Sequence, residues 1–470
     1  LEVGDWAEDY CWYMEGGVAM KLTNRQALVV GMAKSGIAAT RFLLDQGAKV
    51  TVCDSSTEKK LEKSLQLLAD WPITIVTGHY PQVDKKYDLI VMSPGVPLTI
   101  KPVEQARKLG IPVIGELELV QHFCPAPVVA ITGTNGKTTT TALTGEVLKD
   151  GHREVVVGGN IGVTILEQLA QITAKSVVVA EVSSFQLETT ASFKPIVAAI
   201  LNITPDHLDR HLSFANYVEA KSKIFANQEA GDFLVLNYDQ KELRQMAKDA
   251  RGKVIFFSRR HNLEEGVFVS DEQVVAVVNG TWQKICAVKE IGLRGSHNLE
   301  NCLAATAIAL AMEVAPDHIR ETLAVFPGVA HRLEPVTVIN GVEYINDSKG
   351  TNPDATAKAL AAFTQPIILI AGGKDKGGSF DELLMQGKKK IKSLVVLGET
   401  APKLYEAALN VGITAVYLAP SFPQAVETAA KLAIPGDVVL LSPACASWDM
   451  FDSYEERGDL FKQLVRKLGG

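Results

Sequence analysis

Short apolar runs of strand length recur along the chain and alternate with stretches whose apolar residues repeat at helical spacing, the pattern of a parallel sheet covered by helices. The first cycle predicts a strand at Ala27–Val30, a glycine turn at Gly31-Met-Ala-Lys-Ser-Gly36, a helix to about Gln46 and a strand at Lys49–Cys53 ending in Asp54. That is a mononucleotide-binding βαβ unit. A strand at Leu89–Met92 runs into Ser93-Pro94-Gly95-Val96-Pro97, a turn at the strand end where open parallel sheets bind ligands. A second cycle opens with Val128–Thr132 and another glycine loop, and strands at Val155–Val157, Val177–Ala180, Ala198–Leu201 and Phe233–Leu236 follow. Between Val254 and Val288 the alternation shortens into a pattern of antiparallel strands. An alanine-rich helix at Asn301–Met312 precedes Phe326-Pro327-Gly328, and further strands are predicted at Tyr344–Asn346, Ile367–Ala371, Leu394–Leu397 and Val438–Leu441.

These cycles predict an α/β protein of three domains: a Rossmann-like N-terminal domain over 20–114, a P-loop ATPase-like central domain with a mostly parallel sheet over 115–328, and a Rossmann-like C-terminal domain over 329–470. The length of 470 residues agrees with domains of ~100–200 residues each. With 47% hydrophobic and 21% charged residues the chain has an ordinary globular composition, and a formal charge of −7 argues against a nucleic-acid partner. No apolar run approaches the ~20 residues of a membrane span. The 6 cysteines form no Cys-x-x-Cys pair, so neither a zinc knuckle nor a disulfide framework is indicated, and a reducing cytoplasm is expected. Residues 1–19 carry five acids and no Lys or Arg, without the basic start and apolar centre of a signal peptide, and are expected to be a mis-called start or a peripheral extension.

The strongest local signal is Gly133-Thr134-Asn135-Gly136-Lys137-Thr138-Thr139, directly after Val128–Thr132 and before a helical run at Thr140–Lys149. Backbone N–H groups of such a loop, backed by a helix N-terminus, cradle polyphosphate, while Lys137 reaches the outer phosphates and the Thr138 hydroxyl ligates Mg2+. The full pattern asks for glycine where this chain has Ile131, so the loop is a shortened variant; the competing reading is a glycine turn with a solvated lysine. The first loop, Gly31-x-Ala33-x-x-Gly36, lacks the middle glycine that admits a dinucleotide pyrophosphate, which favours a mononucleotide or UDP-type ligand over NAD. Asp54 reads equally as a ribose partner and as a turn former.

Glu181, ending the strand Val177–Ala180, is expected at the same sheet edge as the phosphate loop, as a Mg2+ ligand. Ser183-Ser-Phe-Gln-Leu-Glu188 and Asn202-Ile-Thr-Pro-Asp206-His207-Leu-Asp-Arg210-His211 follow apolar strands with the polar density of active-site loops. His207 and His211 have the spacing of a helical zinc pair, but no Glu follows His207 as a zinc protease requires, so a single hard-metal ligand at His207 is favoured.

The order of these blocks, with Gly159-Asn160-Ile-Gly162, Gly295-Ser-His297-Asn298-x-x-Asn301 and His331-Arg332, resembles the Mur ligase family, which makes the peptide stem of peptidoglycan. The resemblance runs from about Met20 to the C-terminus. In the third domain, Asn346-Asp347-Ser348-Lys349-Gly350-Thr351-Asn352 and the run from Leu441 through Ser447 and Tyr454 to Arg457-Gly458 resemble the members that add D-glutamate. Tyr454 stands where those members carry Phe, which keeps an aromatic wall.

The resemblance implies that ATP phosphorylates the alanyl carboxylate of UDP-N-acetylmuramoyl-L-alanine and that the amine of D-glutamate attacks the acyl phosphate, yielding an amide, ADP and phosphate. A cytoplasmic monomer is the expected form. Lys137 would hold the β- and γ-phosphates, Thr138 and Glu181 one Mg2+, and Asn160 and His207 the acyl phosphate and a second Mg2+. Arg332 would face the γ-phosphate, Asp347 and Lys349 would organise nucleotide and intermediate, and Asn298 and Asn301 would reach the nucleotide. Thr351, Lys376, Ser447 and Tyr454 would hold D-glutamate, with Lys374 a rival to Lys376. Lys34, Ser35, Asp54, Ser55 and Ser56 would surround the UDP moiety, closed by Ser93, Pro94 and Gly95. Lys221 matches a lysine that the family carries carbamoylated, a metal ligand once modified, whereas its own surroundings read as a surface lysine on an amphipathic helix. The rival functions are a folylpolyglutamate synthase-like ligase, a nicotinamide-dependent oxidoreductase on the first loop, and an ATP-binding scaffold that releases no phosphate.

Overall fold

A computed structural model of the protein describes residues 20–150, 153–160, 162–375 and 377–469. The acidic stretch 1–19 and Lys376 lie outside the described residues. Among the described residues the strands form three sheets. In the first, β1 (Gln26–Val30), β2 (Lys49–Asp54), β3 (Thr74–Thr77), β4 (Leu89–Met92) and β5 (Val113–Ile114) run parallel in the order β3-β2-β1-β4-β5. The strand order reverses between β1 and β4, so the Gly31 loop and the Ser93 turn leave adjacent strand ends, where such sheets bind ligands. Ala27 and Val29 pack into one buried cluster and Leu28 and Val30 into another on the opposite face, which is why β1 reads as an unbroken apolar run.

The second sheet holds β6 (Val128–Thr132), β7 (Glu154–Gly159), β8 (Ser176–Glu181), β9 (Val197–Ile200), β10 (Phe233–Asn237), β11 (Lys253–Ser258), β12 (Gly266–Ser270), β13 (Gln273–Val278) and β14 (Thr281–Ala287). Their order is β14-β13-β12-β11-β10-β9-β6-β8-β7. The antiparallel expectation for 254–288 holds only from β12 onward, because β11 and β12 pair in parallel through Phe257↔Val267 and Ser258↔Phe268 alone. Gly266, at φ +125°, starts β12 so close to β11 that a Cβ there would lie 2.2 Å from the Phe256 carbonyl oxygen. The helix expected from Thr140 starts at Lys137, directly behind Gly136, and the one expected at Asn301 starts at Ser296. Both beginnings are polar, so apolar periodicity underestimates them.

The third sheet contains β15 (Glu334–Ile339), β16 (Val342–Asn346), β17 (Ile367–Gly372), β18 (Ile391–Leu397), β19 (Val416–Leu418) and β20 (Val438–Leu441), ordered β15-β16-β20-β17-β18-β19. Only the β15–β16 hairpin is antiparallel. Leu369 and Leu440 pack on one face and Ile368 and Val439 on the other, so helices cover both sides. The chain forms two compact units, one running through Val288 and including Glu300–Thr322, the other made of Lys289–Leu299 and the residues from Leu323. No described helix is long and apolar enough to cross a membrane.

Candidate active site

In the first unit the phosphate loop links β6 to the helix Lys137–Val147. Gly136 caps that helix at φ +85°, and a Cβ there would sit 2.3 Å from Asn301 Oδ1, so both backbone and space demand glycine. The loop is braced from the end of β9: Asn135 N donates to Asn202 Oδ1 at 2.8 Å, Asn202 Nδ2 to Asn135 O at 2.9 Å, and Thr134 Oγ1 to Thr204 O at 3.1 Å. Lys137 Nζ folds over the loop, donating to the carbonyls of Gly133 and Thr134 at 2.8 and 2.9 Å.

Glu181 pairs in register with Ile131, which places it at the edge of the same loop. It is 3% exposed; Oε1 accepts from Asn160 Nδ2 at 2.8 Å, while buried Oε2 has no hydrogen-bond partner. An orphaned carboxylate oxygen beside a phosphate loop suits a cation that would complete its coordination. Among the described residues no group of three His, Cys, Asp or Glu forms a ready-made metal cage. Mg2+ needs none, since it is commonly held by one or two carboxylates together with substrate phosphates and water.

Lys221 corrects the surface reading of its helix, for it is 1% exposed and donates to Thr132 Oγ1 at 3.2 Å and Gly133 O at 3.1 Å. Burial first, then repulsion from Lys137, pushes its amine well below the usual lysine range, against the pull of Asp206 and Glu181. Tyr217 lies beneath it at 4.8 Å and shares a hydrogen bond with Thr134 Oγ1 at 3.1 Å.

His207 and His211 do not form a metal-facing pair. His207 caps a single helical turn at φ +51° and is half exposed, whereas His211 is buried, with Nε2 paired to Ser184 Oγ at 3.0 Å and Nδ1 3.4 Å from Glu188. Burial pushes the His211 imidazole below its ordinary value, opposed by Glu188. Phe185 separates the rings, edge-on to His207 and stacked on His211. Phe185, Tyr217 and Arg210 had no signal of their own in the sequence beyond their neighbours in the motifs.

Around the first loop, Asp54 is engaged by protein: Oδ2 accepts from Met32 N at 3.0 Å and Oδ1 from Ser56 N at 2.8 Å. Ser93 is buried and donates to Gly31 O at 3.2 Å, so both residues brace the loop. Lys34 is exposed and donates to Gly162 O, beside Asn160. Ser35, Ser56 and Pro94 are half-buried, Gly95 is open, and exposed Ser55 accepts from Tyr80 at 3.1 Å.

In the second unit, Arg332 lies between two residues with left-handed backbone, His331 at φ +63° and Leu333 at φ +45°, and its buried Nε has no hydrogen-bond partner. Asp347 accepts from Ser442 Oγ at 2.7 Å and Leu333 N at 3.2 Å, and burial lifts its carboxyl to about 6 against the attraction of Arg332. Lys349 lies over Tyr454 at 5.2 Å, and Ser447 is buried on the loop after β20. Arg457 ties this loop to Ser348, donating to Ser348 O at 2.8 Å and to Cys445 O at 3.3 Å. Thr351 is half-buried, and Lys374 pairs with Glu399 at 2.6 Å. Asn298 donates to Arg294 O at 2.8 Å in this unit, while Asn301 belongs to the first.

A phosphate loop at a parallel-sheet edge, gathering a lysine, a buried acid and a second buried lysine, is the apparatus of an ATP-dependent enzyme. Three family models cover the chain: a Mur ligase MurD-like N-terminal domain over 25–115, a Mur ligase middle domain over 131–309 and a Mur ligase glutamate ligase domain over 331–445. A UDP-N-acetylmuramoylalanine--D-glutamate ligase of Pelotomaculum thermopropionicum is 51% identical over 447 residues, spanning 95% of this chain and 98% of its own. One of the same description from Alkaliphilus oremlandii is 48% identical over 96% of this chain and 100% of its own. The chain belongs to the Mur ligase family. The fold is also that of the UDP-N-acetylmuramate-alanine ligase MurC of Thermotoga maritima, with a TM-score of 0.60 at 20% identity over 94% of this chain and 99% of that one. MurF ligase of Thermotoga maritima, solved with ADP, gives a TM-score of 0.59 at 16% identity over 96% of this chain and 100% of that one.

Proposed function

We propose that the protein joins D-glutamate to UDP-N-acetylmuramoyl-L-alanine with conversion of ATP to ADP and phosphate, a cytoplasmic step in peptidoglycan precursor synthesis carried out by a monomer. The observation that carries the catalytic reading is the meeting of Lys137, Glu181 and Lys221 around one phosphate loop. The choice of D-glutamate rests on relatives 44–51% identical over at least 95% of the chain.

The γ-phosphoryl of ATP passes to the alanyl carboxylate, and the D-glutamate amine then attacks the acyl carbon, expelling phosphate as the amide forms. Such transfers depend on positioning and charge neutralisation. Lys137 swings from the loop carbonyls to the β- and γ-phosphates. Asn160 fixes Glu181 and, with His207, lines the acyl phosphate. Arg332, with Nε unspent, meets phosphoryl charge, and Asp347 and Lys349 order the nucleotide and intermediate, helped by Asn298 and Asn301. Thr351, Lys376, Ser447 and Tyr454 receive D-glutamate; Lys374, already paired with Glu399, is the weaker candidate. Lys34, Ser35, Ser55, Ser56, Pro94 and Gly95 flank the UDP moiety, with Asp54 and Ser93 shaping the loop behind it.

Two Mg2+ ions would be held by Thr138, Glu181, His207 and Lys221, and would neutralise triphosphate charge. For Lys221 this requires carbamoylation, in which the neutral amine adds to CO2 and one proton leaves, so that the neutral group becomes an anion. The buried, low-pKa amine supports that chemistry, because only the unprotonated form is nucleophilic. The test is phosphate release from ATP with UDP-N-acetylmuramoyl-L-alanine and a panel of D- and L-amino acids. Release dependent on D-glutamate supports the assignment, and release driven equally by another amino acid rejects it.

A further inference from the structure

We infer that Arg210 is a positioning residue that ties the His207 turn to the ligand-side loop of the first sheet, so that nucleotide bound in the first domain is felt at His207. The inference rests on the reading above that UDP occupies the Gly31 loop and that His207 faces the acyl phosphate. Arg210 Nη2 donates to Val96 O at 3.1 Å and to Glu188 Oε2 at 2.7 Å, and the guanidinium lies over Phe185 at 4.8 Å. Phe185 is the ring on which His207 packs, with centroids 4.9 Å apart. One planar cation thus touches the first-sheet loop, the segment after β8 and the support of His207 together, a task that lysine's single ammonium cannot match.

The Val96 end leads straight to the proposed nucleotide loop. Val96 N donates to Ser93 O at 3.0 Å, Ser93 Oγ donates to Gly31 O at 3.2 Å, and a Cβ on Gly31 would lie 3.1 Å from Val96 Cγ2. Movement at Gly31 therefore displaces the carbonyl that Arg210 holds. At the other end, the turn from His207 to Leu212 starts and finishes in left-handed backbone, φ +51° and +67°, conformations that L-residues keep only when their surroundings impose them. Arg210 and the buried His211, which bonds Ser184 and faces Glu188, supply that restraint with Asn216 Nδ2, which donates to His211 O at 2.8 Å. Both Arg210 and Glu188 are largely buried, so this pairing is shielded from the screening that weakens surface ion pairs.

Hydrogen exchange on the full chain tests the coupling, with UDP as the probe because it carries no acyl group to contact His207. In the native protein UDP slows exchange at 31–36 and 93–96 and also at 207–212. In Arg210→Met the first two segments remain protected and the third does not, while kcat falls by at least about tenfold and the KM for ATP stays within about twofold. A merely structural loss would spread over all segments and both parameters. Arg210→Lys recovers only part of kcat. UDP protection of 207–212 that persists in Arg210→Met, or that is absent from the native protein although UDP protects 31–36, overturns the inference. If UDP protects nothing, the nucleotide reading falls and takes the inference with it; if His207→Ala retains full activity, the catalytic reading of His207 falls while the exchange coupling still stands or falls by its own result. Should Arg210→Met fail to fold, Glu188→Gln, which frees one side of the guanidinium, is judged by the same loss or retention of protection at 207–212.

Discussion

Replacing Asp347 with Asn isolates the electrostatic strain held in the second unit. The carboxylate is wholly buried, and burial lifts it from 3.8 to about 6 although Arg332 and the Ser442 hydroxyl favour the charged form. Well below pH 3.8 both folded and unfolded states carry the proton; as pH rises, the unfolded chain ionises first, so stability present in acid is lost by the time pH passes about 6. At 1.36 kcal/mol per pK unit, that rise corresponds to about 3 kcal/mol. Asn does not titrate. The stability difference between Asp347→Asn and the native protein should therefore shift by about 2 kcal/mol in favour of Asn between about pH 4 and about pH 8, the part of the whole rise that falls in that window, while hydrogen bonds lost at every pH cancel from the comparison. Two compact units make a single global transition a poor gauge, so the measurement is hydrogen exchange of peptides covering β16 and β20, read as local opening free energies. A shift smaller than about 1 kcal/mol would refute the reasoning and mean that Arg332 balances the buried charge in the folded state.

Four further outcomes are expected. Lys137→Ala lowers ATP-dependent phosphate release by roughly a thousandfold and leaves UDP-substrate binding by calorimetry unchanged, since its amine lies on the phosphate loop, bonded to Gly133 and Thr134. Lys221→Ala lowers it by at least about a hundredfold, and removing dissolved CO2 and bicarbonate reversibly reduces the native activity; full activity in the variant would end the carbamate reading. Glu181→Gln raises the Mg2+ concentration for half-maximal rate by about tenfold, because the orphaned oxygen is replaced by an amide that cannot serve as an anionic ligand. Gly136→Ala, forced into φ +85° with its Cβ against Asn301, destabilises the first unit by about 1–3 kcal/mol, visible as a lower unfolding temperature.

Strands buried on both faces were legible in the sequence: β4, β6 and β20 match the predicted runs end to end. The strands that escaped notice are β3, β5, β15 and β19, which are short or only partly buried. Edge strands carry a weaker apolar signal because one side of their pairing faces no neighbour, and their place is set by the sheet they join. The parallel pairing of β11 with β12 was equally hidden, since nothing local in Val254–Val288 distinguishes a two-residue parallel contact from a hairpin.

The site divides along the same physical line. A phosphate loop is built mostly from backbone and contiguous residues, so Gly133–Thr139 announces itself in one stretch of sequence. Lys221 is different: its helix pattern is that of a surface lysine, and what removes its amine from water is contact with Thr132 and Gly133, 89 and 88 positions away. Arg210 is also set by distance along the chain, its partner Val96 lying 114 positions earlier. Charge on such groups is decided by desolvation and by cations or acids brought near by the fold, neither of which is a local property of the sequence. A sequence can thus name the loop proposed to hold the phosphates, but the basicity of Lys221 and the orientation of His207 exist only once distant segments close around them.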